Sequence, residues 1–124
     1  MKTLVAILST FVLFGCNFAA SEKSVSTNIP EYLQVLSWAE SANASKDAEA
    51  AITENDYRLF IIAGRGQHMP GVATSLRDGL KKQCGTQFLP GSTDVIRDDK
   101  HQRLLQKAYD YAEAYNKIIL SKCS

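Results

Sequence analysis

A small α+β domain is what this sequence predicts, with an all-α arrangement as the alternative. Three observations point there. The C-terminal quarter carries a long apolar stripe of helical period, one short aromatic and β-branched run is bounded by turn residues, and two cysteines, Cys84 and Cys123, stand far apart. The chain has 124 residues, 45% hydrophobic and 22% charged, the composition of a globular protein. Once the first 28 residues are set aside, roughly 95 remain, enough for one domain that buries about 65% of its unfolded surface. Two-domain enzymes, barrel enzymes and large nucleotide-binding folds are thereby excluded.

The elements follow in order. Pro30 and Glu31 suit a first helical turn, and Tyr32, Val35, Leu36 and Ala39 recur at helical spacing, broadened by Leu33 and Trp38. One helix over residues 30–43 is expected. Ser45 is the expected N-cap of a second helix through Ile52, with Asp47 in its first turn, closed by Thr53 to Asp56. Tyr57 to Ala63, YRLFIIA, reads as a buried strand, and one continuous helix from Ser45 to Ala63 is its alternative. Gly64 to Gly71 is a loop. A turn or two of helix around Leu76 and Leu80 follows, weakened by Gly79, and Gln87 to Leu89 is a second short strand closed by Pro90-Gly91. Asp98 or Asp99 then caps a helix to about Ser121. Leu104, Leu105, Ala108, Tyr111, Ala112, Tyr115, Ile118 and Ile119 keep its stripe over roughly 33 Å. The expected core is therefore two principal helices on a two-stranded element, with Cys123 just past the end of the last helix.

The N-terminus has another character. Lys2 precedes an apolar run from Leu4 to Phe14, broken only by Ser9 and Thr10. About 11 helical residues span some 17 Å, far short of a roughly 30 Å hydrocarbon core, so the run reads as a removable export signal. Leu13-Phe14-Gly15-Cys16 resembles the lipobox of bacterial lipoproteins. The resemblance implies a signal peptide of residues 1–15, diacylglycerol on the Cys16 thiol and an acylated new amine. Residues 16–28, rich in Ser and Thr, then form a tether reaching on the order of 20 Å, and residues 29–124 form the domain. With Asn17 in place of Asp after the cysteine, the resemblance further implies the periplasmic side of the outer membrane. The alternative is ordinary secretion with cleavage near Ala19-Ala20-Ser21. The two differ physically, because each buried methylene adds about 0.8 kcal/mol of membrane affinity.

Export leaves Cys84 and Cys123 as an even pair in an oxidising compartment, and a disulfide between them is expected. Closing a loop of about 40 residues contributes up to roughly 4 kcal/mol on the chain-entropy account. The rival is a metal or redox pair, for which two distant cysteines with no CxxC and only two histidines make a poor ligand set.

Net charge is +1, but unevenly spread: residues 22–56 carry seven acids against two cations, and residues 57–124 eleven cations against six acids. Either the basic half meets an anionic envelope component or acidic protein surface, or the halves face each other and partly neutralise. Gly64-Arg65-Gly66 departs from a dinucleotide fingerprint, since Met69 stands where a third glycine belongs and Pro70 blocks an immediate helix. An exported domain has little access to nucleotides, so neither a cofactor nor a nucleic-acid partner is expected. Arg65 and His68 in this loop, with Arg77, Lys81 and Lys82 downstream, form a candidate anion-binding cluster. His68 and His101 lie in no nucleophile or zinc motif, and Asp94, Asp98 and Asp99 read as helix-start acids. No catalytic or metal-binding residue is assigned. His101 is expected to be exposed, Tyr111 and Tyr115 to pack in the core, and Tyr109 to lie off the stripe. The expectation is a lipid-anchored envelope protein that binds without turnover; a periplasmic inhibitor or immunity-type protein is the alternative, ahead of a small hydrolase.

Overall fold

The computed structural model describes residues 28–124. The expected signal 1–15, Cys16 and the tether up to residue 27 lie outside the described residues. The order is α1 (Glu31–Gln34), a 3-10 turn (Ser37–Glu40), α2 (Ala44–Thr53), β1 (Leu59–Ile61), α3 (Thr74–Cys84), β2 (Thr86–Phe88) and α4 (Asp99–Cys123). The fold is α+β, as the sequence predicts, with a two-stranded sheet, a long C-terminal helix and a disulfide.

The scaffold is α4. Asp98 stands in extended conformation and its carboxylate accepts the His101 N–H at 2.8 Å, while Asp99 occupies the positive end of the helix. At 1.5 Å per residue its 25 residues span about 37 Å. Leu104, Ala108, Ala112, Tyr115 and Ile119 are buried along one face, and α2 lies against that helix with Ala48 wholly enclosed. The helix includes Cys123, which the sequence places just beyond it.

His101 corrects an expectation. It is 1% exposed, accepts the Arg97 N–H on Nδ1 at 3.1 Å, and meets the edge of the Tyr32 ring 5.0 Å away. It stands one helical turn before Leu104, so the buried stripe simply continues into the first turn.

The first helix also differs from expectation. In place of one helix over 30–43 there is a four-residue α turn and then a 3-10 turn. Leu33, Leu36 and Ala39 are the buried residues, at intervals of three, and that is the repeat of the tighter helix. Val35, expected on the stripe, is 45% exposed. Gly91 at φ 78° presses on this break, since a Cβ there would lie 2.8 Å from the Val35 carbonyl oxygen. The cap of α2 is Asn43, whose side chain accepts the Lys46 N–H at 3.0 Å, and Ser45 lies inside the helix. The helix stops at Thr53 because Asn55 turns to φ 60°, which removes the continuous-helix alternative.

The strands are parallel, with Leu59 opposite Thr86, Phe60 opposite Gln87 and Ile61 opposite Phe88. Both are shorter than or shifted from the expected 57–63 and 87–89, because Ile62 already donates its N–H to the His68 carbonyl at 2.7 Å instead of to a strand. Parallel pairing requires a crossover, and residues 62–85, including α3, supply it. Asn116, buried in α4, completes β1: its Oδ1 accepts the Phe60 N–H at 2.8 Å and its Nδ2 donates to the carbonyls of Phe60 at 3.0 Å and Pro70 at 2.9 Å. Cys84 and Cys123 are disulfide-bonded with their Cα atoms 5.9 Å apart, joining the last residues of α3 and α4.

Candidate functional site

The loop from Gly64 to Gly71 leaves the buried strand β1 and is tied down from several directions. Gly64 adopts φ 139°, a conformation that side chains rarely take, and a Cβ there would fall 2.9 Å from Asp94 Cγ. That carboxylate accepts the Arg65 N–H at 3.1 Å, and Ser92 Oγ accepts the Ala63 N–H at 2.9 Å. Met69 and Pro70 are buried at the far end of the loop, where Pro70 meets Asn116. Both ends of the loop are thus anchored in the core.

Two cations from α3 brace its middle. Arg77 donates to the Gly66 carbonyl, and Lys81 Nζ donates to Gln67 Oε1 at 2.7 Å. They stand four residues apart and so share one face of the helix. His68 lies flat on Tyr109, ring centroids 5.5 Å apart and planes 12° from parallel, with Nε2 2.6 Å from the Tyr109 hydroxyl. Burial first, then the charges of Glu113 and Asp110, hold that hydroxyl above its ordinary pKa.

Four of the five candidate residues, Arg65, His68, Arg77 and Lys81, are therefore brought together around one loop. Lys82, exposed and about 100° round α3 from Lys81, makes no hydrogen bond to it. The acceptors for Arg77 and Lys81 on the loop are neutral, so both positive charges survive the bracing. Arg77 has Asp78 3.4 Å away, whereas among the described residues no acid is within ion-pair distance of Arg65, His68, Lys81 or Lys82. The arrangement offers a fixed backbone with the cationic side chains of Arg65 and Lys81, and of Lys82 nearby, without an acidic partner among the described residues.

The acidic and basic halves of the sequence do meet elsewhere. Lys107 Nζ lies 2.8 Å from Glu40 Oε2, holding the Glu40 carboxyl below its ordinary range, and Tyr111 donates to Asp47 at 2.7 Å. Sequence reasoning missed Ser92, Asp94 and Tyr109 as supports of the loop. Asp94 lies 29 residues from its partner and Tyr109 lies 41 from His68, so no local pattern announces them.

Compared with protein-family models, curated proteins and solved structures, the chain matches none of them. Among the described residues no helix is long and apolar enough to cross a membrane, and no three His, Cys, Asp or Glu side chains form a metal-ligand group.

Proposed function

We propose that this chain is a lipid-anchored cell-envelope protein that binds an anionic partner through the braced loop Gly64–Gly71. One observation carries the reading: the backbone around Arg65 is already fixed by Asp94, Arg77 and Lys81, while the Arg65 side chain is left exposed and without an acidic partner among the described residues. Loops ordered in advance lose little conformational freedom on binding. A guanidinium on such a base engages carboxylate or phosphate bidentately. Lys82 adds charge at longer range.

The anchor is the N-terminal lipid on Cys16, read from Leu13-Phe14-Gly15-Cys16, with the periplasmic side of the outer membrane as its place. The partner is an anionic envelope component or an acidic protein surface, and the protein acts without turnover. An inhibitor or immunity-type role shares the same feature, since a rigid loop also serves to plug a partner's site.

Crosslinking in the intact cell envelope tests this. Arg65→Glu combined with Lys82→Glu is expected to abolish the crosslinked partner and flatten the salt dependence of its binding. An unchanged partner with unchanged salt dependence overturns the loop assignment. A stoichiometric enzyme among the products selects the inhibitor role. Intact mass is expected to show an acylated N-terminal Cys16; a water-soluble product beginning near Ser21 overturns the anchor.

A further inference from the structure

Six large apolar side chains stand exposed among the described residues: Ile29, Val35, Leu76, Phe88, Val95 and Ile96. Four of them border the first turns of α4 from three sides. Val35 lines a groove of about 360 Å³ with Tyr32 and Arg97. Ile29 lines another with Lys100 and Leu104, and Ile96 a third with Gln102 and Leu105, while Val95 lies between Ile96 and the loop base at Asp94. The Arg97 guanidinium sits 5.1 Å from the centre of the Tyr32 ring.

This is also where the chain enters the domain, at Asn28 and Ile29. Only residues 17–27 separate that point from Cys16. Fully extended they reach about 40 Å, and as a coil on the order of 20 Å. Because the leash is attached at this end, this is the end that reaches the lipid with residues 17–27 as a coil, whereas the far end of the 37 Å helix reaches it only with them drawn out. The chemistry of that end combines aliphatic tips at the surface with a tyrosine and with Arg97 and Lys100, whose stems cover apolar area while their heads stay in water, and its carboxylates, Glu31, Glu40 and Asp94, line the same grooves.

We propose that the end of the domain at the start of α4 rests on the lipid surface, with Val95 and Ile96 in the interfacial layer. The proposal depends on the lipid anchor proposed above. It places the disulfide about 37 Å away along α4, and Leu76 on the side of the domain where it shares a groove with Leu120 and Ser124.

The test uses the full chain, purified with its anchor and reconstituted in vesicles of phosphatidylethanolamine and phosphatidylglycerol, part of whose acyl chains are brominated. A bimane label is attached to a cysteine introduced as Val95→Cys or, in a second protein, Leu76→Cys. Both positions are exposed, and far-ultraviolet circular dichroism with an intact native disulfide verifies each fold. Quenching is expected to be several-fold greater at position 95 than at 76. Equal, weak quenching in protein that floats with the vesicles overturns the orientation and leaves the anchor standing. Crosslinks between copies through position 95, with no quenching, overturn it in favour of a dimer face. Protein that fails to float and lacks an acylated Cys16 overturns both.

Discussion

Helices α2 and α3 are nearly equal in length, 10 and 11 residues, and are held in different ways. The first has a side-chain cap at Asn43, encloses Ala48 and lies along α4. The second has no side-chain cap, carries Gly79 in its interior and buries no residue. What holds α3 is the Cys84–Cys123 bond, the Gln83 amide on the Cys123 carbonyl at 2.7 Å, and the braces of Arg77 and Lys81 on the loop. Full burial of Ala48 keeps one helix in place, and a covalent bond and polar contacts, with only the half-buried Leu80 and Cys84 against the core, keep the other. The difference teaches that the disulfide in this small domain secures the crossover and the loop it supports, more than the core.

The largest expected effect lies on the packed side. Asn116→Ala strips partners from the Phe60 N–H, the Phe60 carbonyl and the Pro70 carbonyl, each a buried group whose loss costs roughly 1–3 kcal/mol. Chemical denaturation is expected to show a loss of about 4 kcal/mol in one cooperative transition.

Cys84→Ser with Cys123→Ser comes next, at about 3 kcal/mol. Its distribution is the sharper readout. Amides of α3 and of the Gly64–Gly71 loop are expected to lose nearly all protection from hydrogen exchange through local opening, whereas those of α2, α4 and β1 lose only what the fall in global stability takes. Uniform loss across all elements would break the comparison.

Gly79→Ala turns the argument round. Gly79 has ordinary helical φ and nothing within 4 Å of where a Cβ would stand. Alanine is favoured over glycine inside a helix by about 1 kcal/mol, so the variant is expected to slow exchange in α3 and raise the melting temperature slightly. A decrease would mean that α3 packs more tightly than its exposure indicates.

The smallest effect is acid dependence at the start of α4. The Tyr32 hydroxyl first, and then the His101 N–H, hold the Asp98 carboxyl below its ordinary range. A group lowered on folding contributes stability above its unfolded value, which is lost as pH falls through its folded value. Tyr32→Phe is expected to flatten the fall in stability between about pH 4 and pH 2, the window below an unperturbed aspartate. An unchanged acid limb would show that the His101 N–H alone holds the carboxylate.

Residue by residue, the sequence is informative where one period governs. The stripe from Leu104 to Ile119 and an aspartate cap define α4, and the cysteine pairing follows from even number and spacing. His101 was also within reach, three positions before Leu104, but its place in a first turn reads equally as a solvated cap residue. The segment Glu31 to Glu40 defeats a 3.6-residue reading because its buried positions repeat every three. Arg65, His68, Arg77 and Lys81 can be named from loop chemistry and charge. Their bracing cannot, because Ser92, Asp94 and Tyr109 arrive from distant parts of the chain.

Asn116 has a further consequence for how this sheet can grow. One edge of β1 is taken by β2, and on the other the amide meets both the N–H and the carbonyl of Phe60, doing the work of a neighbouring strand with a single side chain. A passing extended segment finds no free ladder there, and unpaired edges are what template aggregation. Addition to this sheet therefore has one direction, outward from β2, where Phe88 is 56% exposed.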